Sequence, residues 1–241
     1  MNLVLDFGNT RIKGAIFNGE QITNYFSYRN DEFEKILNFD EILEIKRIGI
    51  TSVINTPDSF IKRINELGIP VMIIDDTTKL PIDLKYDTPQ TLGADRICNA
   101  VAGFRKFPNK NVLIIDLGTC NKYDFVDSNG GYQGGSIAPG FKMRLDAMHN
   151  FTANLPLLKP NEVEEFIGKS TISSMETGSF WGVVGEINAF ITQYQSRFSD
   201  IEVIATGGYL KYFEKVLKNS IFAQPNLTLI GLNSILNYQD N

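Results

Sequence analysis

The chain carries one short pattern twice. Leu3-Val4-Leu5-Asp6-Phe7-Gly8-Asn9-Thr10 aligns at a single offset with Leu113-Ile114-Ile115-Asp116-Leu117-Gly118-Thr119-Cys120. In each copy an apolar run ends in Asp, and a Gly follows two residues later. A second strand-like stretch, an Asn-Gly pair (Asn18-Gly19 and Asn129-Gly130) and a third strand come next. Asn-Gly between alternating apolar stretches is a strong hairpin signal. A single Asp-x-Gly-Asn is an ordinary turn. The same sequence of strand, turn, strand, turn and strand in both halves points to a duplicated unit. A strand running into a Gly-containing turn offers backbone N–H groups to an anion. Two such turns facing each other would present them to one polyphosphate, with Asp6 and Asp116 at the same place. Two carboxylates there repel a polyphosphate unless they hold cations, directly or through water. The plainer alternative is a duplicated scaffold whose turns bind nothing.

The rest of the chain reads as alternating strands and helices, which argues an α/β fold. Strands are expected over 3–7, 11–17, 20–28, 47–53 and 71–74. A short helix over 31–37 is capped by Asn30 or Asp31, and a helix over 56–67 starts at Thr56-Pro57. Residues 75–91 read as a loop and 92–104 as a helix with Ile97, Ala100, Val101 and Phe104 inward. The connector near Phe107 to Lys110 sets a boundary between a first domain, 1–108, and a second, 109–241. In the second half strands are expected over 112–116, 122–126, 132–137 and 202–205. Helices are expected over 141–150, within 171–197 and over 209–217, with irregular chain at 151–170. The tail, 227–236, reads as a last strand or turn and a short helix.

Composition narrows the function classes. Hydrophobic residues make up 43% of 241, enough for a sizeable core. The net charge is −5 and no basic stripe exists, so nucleic-acid binding is not expected. The one basic cluster, Arg105 to Lys110, is interrupted by Phe107 and Pro108. Cys98 and Cys120 lack metal-ligand spacing and read as buried free thiols in a reducing cytoplasm. No signal peptide and no membrane span are expected.

Five motifs in order extend the repeat: Asp6 to Thr10; Tyr86 followed by Gly93-Ala94-Asp95-Arg96; Asp116 to Thr119; Gly134 to Gly140; and Thr206-Gly207-Gly208. Together they resemble the acetate and sugar kinase, heat-shock ATPase and actin superfamily, and within it the type III pantothenate kinases. The resemblance covers nearly the whole chain. It implies duplicated ribonuclease H-like (actin-like ATPase) domains with a central cleft, and ATP-dependent phosphorylation of pantothenate, the first step of coenzyme A synthesis.

The resemblance assigns residues as follows. Asp6, Phe7, Gly8, Asn9, Thr10, Arg11, Ile12 and Lys13 would cradle the ATP phosphates, with Asp6 on Mg²⁺, directly or through water. Thr119 would touch ATP from the second turn, and Thr206, Gly207 and Gly208 would receive its adenosine end. Asp116 matches a site for a monovalent cation, K⁺ or NH₄⁺. Tyr86, Gly93, Ala94, Asp95, Arg96 and Thr171 match pantothenate contacts, with Asp95 the base for the acceptor hydroxyl and Arg96 the partner of the pantothenate carboxylate. A homodimer is implied. Without the resemblance, Asp95-Arg96 reads as a charge pair in the first turn of a helix. Gly134 to Gly140 either lines the cleft or allows close strand packing. His149 reads as a surface or helix-end residue and Trp181 as core.

The chain departs from the family pattern after the second Asp-x-Gly-Thr. Cys120-Asn121-Lys122-Tyr123 stand where small residues and Thr are usual, and Lys122 adds a charge beside the expected cation site. Two other readings compete. A non-catalytic regulatory relative of the same fold would not need Asp95. A sugar kinase of the same superfamily would have little use for Arg96, which suits an anionic acceptor.

Overall fold

The computed structural model describes residues 1–37, 40–52, 58–75, 77–217 and 221–239. The chain forms two compact units. The first holds Met1–Lys106, Gly130–Tyr132 and Asn226–Asn241, and the second Phe107–Asn129 and Gln133–Pro225.

In the first unit, β1 (Asn2–Phe7), β2 (Arg11–Asn18), β3 (Gln21–Arg29), β4 (Arg47–Ser52) and β5 (Val71–Ile73) form one sheet in the order β3-β2-β1-β4-β5. Every residue of β1 is buried. That continuous run marks a central strand covered on both faces. Leu3, Leu5 and Phe7 point to one side, where they pack with Ile12, Ile16, Ile48, Ile50 and with Phe60 and Ile64 of α1 (Asp58–Glu66). Val4 and Asp6 therefore point to the other side. That side carries α2 (Ala94–Lys106) and α6 (Leu227–Tyr238), which pack on each other. A Cβ at Gly231 of α6 would stand 1.8 Å from the Cys98 carbonyl oxygen, and one at Gly49 of β4 would stand 3.3 Å from Leu232. Asn2 adds a polar tie, donating to Asn233 at 2.9 Å and to Asn237 at 2.8 Å. A two-stranded parallel pairing joins β6 (Asp83–Leu84) to Gly131 and Tyr132.

The second unit repeats this plan. β7 (Asn111–Leu117), β8 (Cys120–Val126), β9 (Gly131–Pro139), β10 (Ile201–Thr206) and β11 (Ile221–Ala223) run in the order β9-β8-β7-β10-β11. Leu113, Ile115 and Leu117 face a core built with α3 (Phe141–Asn150), α4 (Thr171–Arg197) and α5 (Leu210–Phe213). Ser170 caps α4, accepting from Ser173 N–H in a capping box.

Most expected elements are present within a residue or two. The end of the fourth strand at Val53 and the helix start at Thr56-Pro57 lie outside the described residues. The segment 31–37 is 3₁₀ rather than α-helical, spanning Asn30–Leu37. Glu32 accepts from the Arg29 N–H, Asp31 takes the Arg29 guanidinium, and Glu32 leaves helical geometry at φ −106°. Local side-chain bonds of this kind compete with the α-helical ladder. The expected helix over 209–217 is regular only over Leu210–Phe213, although Leu217 N–H still bonds to Phe213 C=O. The tail is a single helix, entered through Asn226 in the left-handed region at φ 61°. Cys98 is buried as expected, whereas Cys120 is only half-buried. Trp181 is half-buried against the second core, and the His149 ring contacts the Leu155 carbonyl at 2.7 Å near the end of α3.

Gly231→Ala should destabilise the protein by about 3 kcal/mol, because the added methyl meets backbone rather than a movable side chain. Urea unfolding checks this against Gly178→Ala in α4, whose Cβ meets nothing within 4 Å and which should raise stability by up to about 1 kcal/mol through the better helix propensity of Ala.

Candidate active site

Each central strand delivers one carboxylate to the same position in its sheet. Asp6 is flanked by Lys13 on β2 and Thr51 on β4. Asp116 is flanked by Lys122 on β8 and Thr206 on β10. Paired residues on neighbouring strands share a face. In both units this face is opposite the core that holds Leu3, Leu5 and Phe7 or Leu113, Ile115 and Leu117.

The first turn is closed by Gly8 N–H donating to Arg11 C=O at 3.1 Å. Asn30 steadies it from outside, donating to the carbonyls of Gly8 at 3.1 Å and Asn9 at 3.2 Å. Of the predicted phosphate contacts, Asn9 and Thr10 are exposed. Phe7 and Ile12 are buried in the core, so they can offer only main chain. The Arg11 guanidinium is tied to Ser27, through Oγ at 2.7 Å and C=O at 2.6 Å. Asn30 was legible only as a helix cap; its tie to the turn spans 22 residues, and no spacing rule reaches that far.

Asp6 shares its side of the sheet with the start of α2. The Cys98 thiol is held well above its ordinary pKa, first by burial and then by the charges of Asp6 and Asp95, against a lowering bond from Thr51. Asp6 and Asp95 thus act on one buried atom, and the first unit gathers two predicted site carboxylates in one region. Asp95 is half-buried in the first turn of α2, where its Oδ1 accepts from Arg96 N–H at 2.9 Å. A Cβ at Gly93 would stand 2.6 Å from that oxygen, which explains the glycine. Arg96 is only 4% exposed. Its guanidinium carbon lies 5.7 Å from the Tyr86 ring centroid and 5.9 Å from that of Tyr132. Cation–π contact with two rings fixes the fork in place. Tyr132 was not anticipated as a site residue: it read as the first residue of a strand, and only the pairing of β6 with β9 brings it to Tyr86.

In the second unit the turn after β7 is wrapped by glycines. Gly118 N–H donates to Cys120 C=O at 3.2 Å, and Gly140 N–H to Thr119 C=O at 3.2 Å. A Cβ at Gly140 would come within 2.5 Å of the Gly118 and Thr119 carbonyl oxygens. Gly207, at φ 101°, approaches Leu117 C=O to 2.4 Å and Asp116 Oδ1 to 2.6 Å, measured to the same imagined Cβ. Gly208 has open space on that side, and Thr119 is exposed. Gly135 packs closely on β8, its Cβ position 2.0 Å from Tyr123 C=O, so this part of the Gly134 to Gly140 stretch serves strand packing. Thr171 is exposed at the first residue of α4.

Beneath the turn, Glu186 of α4 accepts from Tyr123 Oη at 2.7 Å and Asn121 Nδ2 at 3.3 Å, and pairs with Arg144 of α3. The Tyr123 hydroxyl has its pKa raised by burial and by that bond to Glu186. Asp116 carries the Lys122 ammonium, with Nζ to Oδ2 at 2.8 Å and side-chain exposures of 17% and 12%. Among the described residues no group of three or more His, Cys, Asp or Glu could hold a metal ion. Among the described residues, no helix is long and apolar enough to cross a membrane.

Comparison with known proteins bears on the fold and the family. A Campylobacter jejuni chain described as a conserved Baf family transcriptional activator superposes at a TM-score of 0.66 with 18% identity, covering 99% of both chains. A ROK family glucokinase from Streptomyces griseus, solved with glucose and AMPPNP, superposes at 0.52 with 13% identity, covering 97% of this chain and 98% of its own. The fold is thus the duplicated ribonuclease H-like ATPase fold of the actin-like sugar kinases, as expected from the repeat. The family model described as type III pantothenate kinase matches residues 2–193. A type III pantothenate kinase of Flavobacterium johnsoniae is 39% identical over 244 residues, covering 99% of this chain and 98% of its own. The chain belongs to the type III pantothenate kinase family.

Gly207→Ala should lower stability by about 3 kcal/mol, combining a side chain at positive φ with a clash on the turn's backbone. Gly208→Ala should change it by less than about 0.5 kcal/mol. Thermal unfolding of the two variants side by side makes the comparison.

Proposed function

We propose that this enzyme transfers the γ-phosphoryl group of ATP to the primary hydroxyl of pantothenate, giving ADP and 4′-phosphopantothenate. The observation that carries the reading is the Gly93 to Arg96 segment. It sets an aspartate at the head of α2, next to an arginine set against two neighbouring tyrosine rings, on the side of the sheet where Asp6 emerges.

The first unit supplies the acceptor site and one phosphate turn. Arg96 binds the pantothenate carboxylate through its planar fork, and Tyr86, Gly93 and Ala94 line the same place. Exposed Thr171, in the second unit, is a further pantothenate contact. Asp95 accepts the hydroxyl proton as the new O–P bond forms and the bond to the ADP oxygen breaks. In a loose transition state that proton leaves late, so positioning matters more than basicity. The Arg96 N–H bond and the absence of a side chain at Gly93 supply that positioning. The backbone N–H groups of Gly8 to Lys13, with the Asn9 and Thr10 side chains, hold phosphate oxygens. Asp6 is the residue that would hold Mg²⁺, directly or through water, since a carboxylate at the strand end beside the phosphate turn is the hard oxygen donor such a cation takes. Bound Mg²⁺ would neutralise phosphate charge as it shifts to the leaving ADP. In the second unit, Thr119 contacts the phosphates, and Thr206, Gly207 and Gly208 receive the adenosine end.

The working form is a homodimer in the cytoplasm. Phe151, Leu157, Phe166, Ile167 and Ile172 are exposed apolar side chains on or next to the segment 151–170, a surface that a second copy would cover. Two free thiols suit a reducing compartment.

Asp95→Asn should cut turnover by about 10²- to 10⁴-fold while the KM for ATP moves less than about twofold. A coupled ADP-release assay with pantothenate and Mg-ATP measures both. Near-normal turnover in this variant would remove Asp95 from the role of base.

A further inference from the structure

The family expectation of a monovalent cation at Asp116 meets a site that does not fit one. We propose that the ammonium of Lys122 is the resident cation of this turn, so that phosphoryl transfer by this chain needs no added K⁺ or NH₄⁺; the activity arm of this inference rests on the pantothenate reading above.

Four observations carry it. Lys122 Nζ lies 2.8 Å from Asp116 Oδ2, and the two side chains are 17% and 12% exposed, so the pair is largely removed from water. The pairing is set by the backbone, because the β7–β8 register places Lys122 directly opposite Asp116. The other carboxylate oxygen, Oδ1, lies against the Gly207 backbone, where an added Cβ would stand 2.6 Å from it. Finally, the first unit repeats the register, with Lys13 opposite Asp6. A lysine beside the aspartate is thus part of the repeated plan of this chain.

The chemistry follows from charge and coordination. An alkali cation replaces its hydration shell with several oxygen ligands. Here one carboxylate oxygen already takes an ammonium and the other faces backbone. Lys122 carries the same unit charge as K⁺, and its three N–H donors match what a carboxylate and phosphate oxygens accept. A second monovalent cation at hydrogen-bond distance would be repelled by the first. The ammonium neutralises Asp116 and so removes its repulsion toward a triphosphate, which is the service a bound potassium ion would otherwise perform.

The test is a salt series on the full-length protein with Mg-ATP and pantothenate, in the chlorides of potassium, ammonium, sodium and choline at equal ionic strength. Choline is too large to enter the turn. The unsubstituted chain should turn over in choline within about twofold of its rate in potassium. Lys122→Thr should lose at least tenfold in choline and recover in potassium or ammonium, and Lys122→Met should lose activity in every salt. A second readout is independent of turnover: Tl⁺, a potassium mimic, followed by anomalous scattering. It should be absent from Asp116 in the unsubstituted protein and present in Lys122→Thr. Turnover of the unsubstituted chain that collapses in choline and returns with potassium overturns the inference, as does thallium bound at Asp116 with Lys122 in place. Absence of turnover in all four salts, with no thallium at Asp116, contradicts the pantothenate reading and leaves the resident ammonium standing.

Discussion

The structure depends on a repeated register: at the end of each central strand one carboxylate stands between a lysine on one neighbour and a threonine on the other. A strand buried on both faces has no place for a charge along its length. Asp6 and Asp116 are accommodated because they sit at or next to the strand's last residue, where the chain turns away. Removing one member of a largely buried ion pair costs about 3–5 kcal/mol, since the other charge is left uncompensated. The Asp116–Lys122 pair is of that kind, so the charge that serves the site also constrains the sheet.

Glycine placement turns these strand ends into sites. Gly207 and Gly140 bring backbone against the 117–119 turn from two directions, and Gly93 makes room for the Asp95 carboxylate. Each of these contacts is to a main-chain atom or a fixed carboxylate, so no side chain could move aside for a methyl group. Asn30 and Glu186 act from the next layer outward. The first holds the carbonyls of the 8–9 turn, and the second holds Asn121 and Tyr123 under the 118–120 turn. The turns are rigid because their outward-facing groups are already bonded, which leaves the remaining backbone donors preorganised for an anion.

Much of this was legible in the sequence because the informative features are local. Asp-x-Gly after an apolar run, Asn-Gly at fixed distance and a 3.6-residue period in α1 and α2 each act over a few residues. The features that escaped are long-range or too short to show a period. β6 and β11 have two and three residues. The tail read as a strand or turn and a short helix rather than as one helix, because α6 is apolar on nearly every face, which leaves no amphipathic period to recognise. Tyr132 enters the acceptor region through a pairing with a segment 48 residues earlier, Leu84 to Tyr132. Lys122 was legible as an extra charge beside the expected cation site at Asp116; what the antiparallel register adds is that it stands directly opposite that carboxylate, and that Lys13 stands opposite Asp6 in the same register.

The central claim is that the phosphoryl group leaving ATP arrives on the pantothenate hydroxyl. Mass spectrometry of the products from ¹⁸O-labelled γ-phosphate ATP and pantothenate tests it most directly. The account predicts one phosphopantothenate species carrying the labelled phosphoryl oxygens, formed in equal amount to ADP. Labelled inorganic phosphate alone, with pantothenate recovered unchanged, would contradict it.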